Sequence, residues 1–270
     1  MSLVVSDITR YGIVMVGNSA VTVMREDNTV VKVRGDAAKV QYSPEANIGI
    51  SVWGNGNVGG KRIDSWIADF IDFSIAPGDD LETIGGRLTE QLNEDLSKMG
   101  KPWNELRCGL QLAGYMNGVP KLWHIDTGQD RRPQHELRLY HDFPEDQSWS
   151  DGNFRMILGE DQYGFPAFCH LSNSHMPTFL ALFDKMMEYS RELRNILKVR
   201  FPRDSLEGRL NYYKVLVQFT TEMMVAAGEH PSFNNVVSAI AFDQNVLVLD
   251  ERISVPEDSK PLSEGSRLAF

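Results

Sequence analysis

Ser2 follows an initiator methionine, and serine is small enough for a methionine aminopeptidase to expose it. A serine hydroxyl is a weak nucleophile and needs a base to take its proton. Once Met1 is removed, the α-amine of Ser2 lies within reach of its own Oγ. With a pKa of about 7.7–8.0, a large share of such an amine is neutral near pH 7. One residue could then supply both nucleophile and base. Other chemistry-bearing patterns are weaker. Gly54-Asn55-Gly56-Asn57-Val58-Gly59 matches the G-x-G-x-x-G of dinucleotide sites. That chemistry needs a parallel strand directly after the helix, with an acid near its end. Here helix follows helix until Leu110, so the expectation is a tight strand-to-helix turn. His170 and His175 have no neighbours to complete a zinc set. Cys169 and His170 are adjacent, and on a strand they would face opposite ways, so Cys169 is expected to be a buried structural cysteine. There is no G-x-S-x-G elbow, P-loop or H-E-x-x-H. Neither cofactor nor metal is expected.

The 270 residues carry 27 Lys and Arg against 37 Asp and Glu, a net charge of −10. A nucleic-acid binder shows a basic face or stripe, and an anionic lipid surface attracts basic segments. Neither partner is expected. With 42% hydrophobic residues the chain can bury a sizeable core. Two cysteines make no disulfide framework at this length, which fits a reducing compartment. The N-terminus lacks the basic start and apolar stretch of a signal peptide, and there is no run of 18 apolar residues. A soluble, cytoplasmic protein is expected.

The elements that must position any site read as follows. Residues 3–8, 12–16, 30–33, 38–42 and 48–53 are short β-branched or alternating runs, and five strands before any helix suggest antiparallel sheet. Ile63, Trp66, Ile67, Phe70 and Ile71 then repeat at helical spacing. Pro77-Gly78 ends that helix, and a second runs from Asp79-Asp80 to about Met99 with Ile84, Leu88, Leu92 and Leu96 on one side. Leu110–Tyr115 and Leu122–Ile125 form a hairpin, residues 127–152 a polar excursion from the core, and Phe154–Leu158 a strand. Two further helices carry Phe179 to Ile196 and Ser205 to Ala227. The second has one stripe of Leu210, Tyr213, Val217 and Met224, and another of Leu216, Phe219 and Met223, so it should be covered on both faces. A hairpin of Val236–Phe242 and Val246–Leu249 closes the core. The order of strands, helix pair, strands, helix pair and strands predicts an α+β fold. Two antiparallel sheets flanked by helix pairs, a four-layer α/β/β/α sandwich, would bury every apolar face. The domain is expected over 2–250, followed by a polar tail at 251–270.

Particular residues sit in a particular order on this layout. Ser2 is followed ten residues on by Gly12, then by Ile13-Val14-Met15-Val16 and Gly17-Asn18-Ser19-Ala20-Val21-Thr22. Lys39-Val40 opens a strand, Ser43-Pro44 makes a turn, Ile48–Trp53 forms a strand, and Gly54 precedes the first helix. Gly114-Tyr115 and Leu122–Asp126 form the middle hairpin. This arrangement resembles the N-terminal nucleophile hydrolases, in the proteasome β-subunit-like branch that includes bacterial proteasome-type peptidases. It extends over residues 2–126 and 154–250, and the first sixty residues carry most of its specificity.

The resemblance implies roles. Ser2 would be the nucleophile and its amine the base. Lys39 would lower the pKa of that amine, and Gly54 would give an N–H to the oxyanion, which needs preorganised donors. Asn18, Glu229 and Ser232 would orient the others. Members often assemble through their helical layers, which implies a homo-oligomer acting on a peptide or small amide substrate. The chain also departs from the pattern. Asn18 stands where active members have aspartate, and Ala20 where they have arginine. An Asn carbonyl accepts a hydrogen bond from lysine without the charge that makes such bonds strong. Glu229 is longer than the aspartate it matches, and Gly159-Glu160-Asp161 departs from the family's glycine-serine element. The expected activity is hydrolysis of an amide bond by Ser2. The alternative is a catalytically degenerate subunit with an assembly or binding role.

Overall fold

The computed structural model describes residues 3–9, 11–24, 30–101, 108–126, 136–139, 148–151, 154–157, 168–173, 205–226, 237–243 and 247–251, with residues 185, 188–189, 192, 196 and 267–269. The opening runs become β1 (Val4–Thr9), β2 (Gly12–Asn18), β3 (Ala20–Met24), β4 (Val30–Gly35), β5 (Val40–Ser43) and β6 (Ile48–Gly54). Two short strands, β7 (Asn57–Val58) and β8 (Lys61–Arg62), lead into α1 (Ile63–Ser74) and α2 (Leu81–Ser97). Then come β9 (Cys108–Met116), β10 (Val119–Asp126), β11 (Glu136–Leu139), β12 (Ser148–Asp151), β13 (Phe154–Ile157) and β14 (Phe168–Asn173). A long helix, α3 (Leu206–Ala226), precedes β15 (Val237–Phe242), β16 (Leu247–Glu251) and β17 (Arg267–Ala269).

Among the described residues all the strand pairings are antiparallel. Over the described residues one sheet has seven strands in the order β12-β13-β14-β1-β2-β15-β16, and another has five in the order β11-β10-β9-β6-β5. Mixed helix and antiparallel sheet make this an α+β fold. Alternation along the strands sorts the core into three clusters. Ile50, Val52, Leu110 and Leu112 of the five-stranded sheet pack with Ile67, Phe70, Leu88 and Leu92 of α1 and α2. Val5, Val14, Val16 and Ala241 of the seven-stranded sheet pack with Leu210, Tyr213 and Val217 of α3. Ile8, Met15, Ile240 and Phe242 of the larger sheet meet Val40, Tyr42 and Leu122 of the smaller. The Asn117-Gly118 turn of the β9–β10 hairpin has positive φ at both residues, 52° and 77°, the geometry that suits the twist of the flanking strands.

Several expectations need amendment. Ala20–Met24, not read as a strand, pairs with β4 in a three-stranded sheet that β17 completes. Residues 267–269, within the segment read as a tail, thus form a strand. The stretch read as an excursion also contributes to both large sheets, through β11 beside β10 and β12 beside β13. Between β6 and α1 there is a small hairpin rather than a single tight turn, because Gly59 and Gly60, at φ 59° and 83°, reverse the chain between β7 and β8. Finally, α3 is not covered on both faces. Leu210, Tyr213, Leu216 and Val217 are buried, but Phe219 and Met223 are 46% and 44% exposed, in line with the exposed Gln218 and Glu222. The helix carrying Phe179 to Ile196 lies outside the described residues except for 185, 188–189, 192 and 196, which are helical.

Candidate active site

The site is built where β2 ends beside the start of β1. Val4 is opposite Gly17 in the β1–β2 pairing, so the next residue outward, Asn18, faces Leu3. Two hydrogen bonds fix that meeting: the Asn18 backbone N–H donates to the Leu3 carbonyl at 2.9 Å, and the Leu3 N–H donates to Asn18 Oδ1 at 3.0 Å. The same oxygen accepts from Lys39 Nζ at 2.8 Å. On its other side the Asn18 amide nitrogen donates to Thr221 Oγ1 of α3 at 3.4 Å. Thr221 in turn donates to the Val217 carbonyl at 2.9 Å. The side-chain amide is therefore held with its oxygen toward Lys39 and the head of β1. A carboxylate would have no donor to offer Thr221, so the helix contact suits Asn18.

Lys39 reaches this point from the segment before β5, and both it and Asn18 are fully buried. Gly17 makes room for it: a Cβ there would lie 3.2 Å from each of Lys39 Cβ, Val4 Cγ1 and Val40 Cγ2. Burial pushes the Lys39 ammonium well below the ordinary lysine range, and the Asp64 carboxylate partly opposes it. The backbone of residues 36–39 is tied at several points. Ala37 N–H donates to the Ser19 carbonyl at 3.2 Å, and Val52 N–H donates to the Lys39 carbonyl at 3.0 Å. Ala38 N–H donates to Asp64 Oδ2, also at 3.2 Å. Asp64 is buried at the head of α1 against Arg62, whose Nε donates to Oδ1 at 2.9 Å and whose Nη2 pairs with Oδ2. Arg62 also holds the Asp36 carboxylate at 3.1 Å and its carbonyl at 3.0 Å.

Gly54 closes β6 two residues beyond Val52, in left-handed backbone at φ 92°, opposite Cys108 of β9. It therefore lies on the strand that Lys39 is tied to. Ser2, Glu229 and Ser232 lie outside the described residues, as does Gly159-Glu160-Asp161. Of the expected set, the structure brings together Asn18 and Lys39 at the head of β1.

A second polar line runs between the sheets. Ser6 Oγ donates to Gln111 Oε1, and Gln111 lies opposite Ser51 on one side and His124 on the other. Trp53 Nε1 donates to His124 Nε2 at 3.3 Å, with the rings stacked at 5.9 Å. The His124 Nδ1 stands 3.4 Å from an Asp126 carboxylate oxygen. These contacts leave the proton on Nδ1, the tautomer that can donate to Asp126.

Sequence reasoning did not find Thr221, Asp64 or Arg62. A signal existed for two of them. Asp64 sits on the buried stripe of α1, three residues before Ile67, and a charge on an apolar stripe is seldom there without a partner. Thr221 interrupts the stripe of Val217 and Met224 in the same way.

No protein-family profile matches the chain, and no curated protein matches it. Among solved structures it superposes on Anbu (ancestral beta-subunit) from Yersinia bercovieri with a TM-score of 0.53 at 12% identity, covering 94% of this chain and 87% of that one. At that identity the likeness speaks to fold alone. The chain is thus similar, over nearly its whole length, to the fold of an ancestral beta-subunit.

Proposed function

We propose that the chain is a proteasome-like N-terminal nucleophile amidohydrolase with a four-layer α/β/β/α sandwich. Ser2, freed by loss of Met1, attacks the carbonyl of a peptide or small amide. Its own α-amine takes the hydroxyl proton and later returns it to the leaving amine. Lys39 disfavours protonation of that amine, Gly54 donates to the oxyanion, and Glu229 and Ser232 orient the amine. The observation that carries this reading is the shared oxygen of Asn18. It accepts both Lys39 Nζ and the N–H of Leu3, and Leu3 N is peptide-bonded to Ser2. A lysine side chain is thereby brought to within one residue of the proposed nucleophile. The fold of Anbu (ancestral beta-subunit) supports the proteasome-like scaffold. The proposal extends to a cytoplasmic homo-oligomer.

The other reading is a catalytically degenerate subunit with an assembly or binding role. Asn18 favours it, since a neutral amide stands where active members of the resembled family have a carboxylate. Intact mass of untagged protein, after incubation with an electrophile that captures N-terminal Ser or Thr, separates the two. Loss of Met1 with a single adduct that disappears in Ser2→Ala supports the hydrolase. Retention of Met1, or Met1 loss without an adduct, favours the degenerate subunit.

A further inference from the structure

An oxyanion donor is effective when it is aimed before the reaction begins. Gly54 has no side chain to anchor it, and it stands at the end of β6 in left-handed backbone. Its N–H belongs to the planar peptide unit that begins at the Trp53 carbonyl. The backbone of Trp53 therefore sets the direction of that N–H. We propose that Trp53, held by His124, is a positioning residue that aims the Gly54 N–H toward the segment of Lys39.

N–H groups alternate in direction along a strand. Val52 N–H donates to the Lys39 carbonyl at 3.0 Å, so the Gly54 N–H leaves the same edge of β6, beyond Val40, the first residue of β5. The Trp53 side chain is anchored on the opposite side, across two strands. Trp53 lies opposite Gly109 of β9, and a Cβ at that glycine would come within 2.5 Å of the indole Cε2. The indole thus crosses β9 through the space that glycine leaves and reaches His124 of β10. Trp53 Nε1 donates to His124 Nε2 at 3.3 Å, and the two rings stack with 27° between their planes. His124 is fully buried, and its Nδ1 lies 3.4 Å from an Asp126 carboxylate oxygen. That second contact keeps the imidazole turned with Nε2 toward the indole. β9 and β10 thereby anchor the residue from which the Gly54 N–H springs.

The inference rests on the reading of Gly54 as oxyanion donor for its part in catalysis, while the aim of the N–H is read independently. Trp53-Gly54 is the only Trp-Gly pair in the sequence. Protein labelled with 13C at the Trp carbonyl and 15N at Gly therefore yields one carbonyl-linked amide signal, that of Gly54. His124→Leu removes the acceptor, and it should move this signal and lower its 15N order parameter from about 0.85 toward about 0.6. His124→Gln, whose amide oxygen can accept from the indole N–H, should return both to their wild-type values. Should His124→Leu not fold, Trp53→Phe keeps a ring and removes the donor. It is read through a Phe carbonyl label, because the sequence contains no Phe-Gly pair. A Gly54 signal unchanged in the variant that folds, or one that His124→Gln fails to restore, overturns the proposal. Capture of Ser2 by electrophile is scored separately. Its rate constant should fall about tenfold or more in His124→Leu at an unchanged half-saturating concentration, because an oxyanion donor acts in the transition state. Capture at the wild-type rate despite a moved signal would remove Gly54 from the oxyanion role. A wild-type protein that captures no electrophile would sink the hydrolase reading, and the Gly54 signal would still decide whether Trp53 aims its N–H.

Discussion

Lys39 donates its ammonium to Asn18 at 2.8 Å in a place where neither side chain touches solvent. The Asn18 oxygen also holds the Leu3 N–H at 3.0 Å. Asn18→Ala removes this acceptor from both donors, and a buried donor left unmade costs about 1–3 kcal/mol. Urea unfolding of Asn18→Ala should show a loss in that range. A loss below about 0.5 kcal/mol would mean that the two donors find other acceptors.

Removing the buried ammonium has a distinct pH signature. Lys39 is held well below the ordinary lysine range by burial, with Asp64 partly opposing. An unfolded chain keeps that lysine protonated up to about pH 10.4. Between the lowered folded value and that limit, the unfolded state binds the extra proton, so stability contributed at this residue rises with pH. Below the folded value the cost of charging Lys39 inside the protein is fully present. Denaturation midpoints of wild type and Lys39→Met, compared from pH 7 to 10, should show wild type gaining on the variant as pH increases. Parallel curves would contradict the burial of a titrating lysine.

Cys108 shows the opposite sign. Burial pushes its thiol up to about 12, while an unfolded cysteine ionises near pH 8.5, so stability falls as pH rises from about 8.5 toward the folded value. Cys108→Ala should flatten that fall. In the native protein Cys108 should also resist alkylation at pH 8 for as long as the fold holds, because the thiolate is the reactive species. Peptide mapping after iodoacetamide treatment, with and without denaturant, reads this directly. Labelling of Cys108 in the native protein at the unfolded rate would refute its burial.

Trp53 lies over Gly109. A Cβ at that glycine would come within 2.5 Å of Trp53 Cε2 and 2.7 Å of its Nε1. Gly109→Ala must therefore displace the indole and its bond to His124. Overpacking a core typically costs about 1–3 kcal/mol, and the lost hydrogen bond adds about 1 kcal/mol. The expected result is a lowered urea midpoint together with a shifted tryptophan emission, and an unchanged emission spectrum would count against the close packing.

The strands and helices were legible wherever one face is apolar and the period is clean. α1 could be read from Ile63, Trp66, Ile67 and Phe70, α2 from Ile84, Leu88, Leu92 and Leu96, and the β9–β10 hairpin from Asn117-Gly118. β3 escaped notice because Ala20 to Met24 follow β2 with Ser19 alone between them, and nothing in Asn18-Ser19-Ala20 marks a strand ending. β11 and β12 escaped because short strands at sheet edges, such as Glu136–Leu139, need little apolar character. At the site, the family resemblance singled out Lys39 and Asn18, which the structure places 2.8 Å apart. The contact of the Asp64–Arg62 pair with Ala38 could not be read, because no local spacing relates these residues. Thr221 reaches Asn18 across 203 positions, a distance that periodicity does not span.

The strand order of the larger sheet bears on how the molecule is made. β1 lies between β2, its hairpin partner, and β14, with Val5 opposite Ser172. One flank of the opening strand can zip up within moments of leaving the ribosome. The other stays bare until β14 has been synthesised, and such distant pairings are the slow ones in folding. The strand beside Ser2 is thus made well before the partner that completes its surroundings.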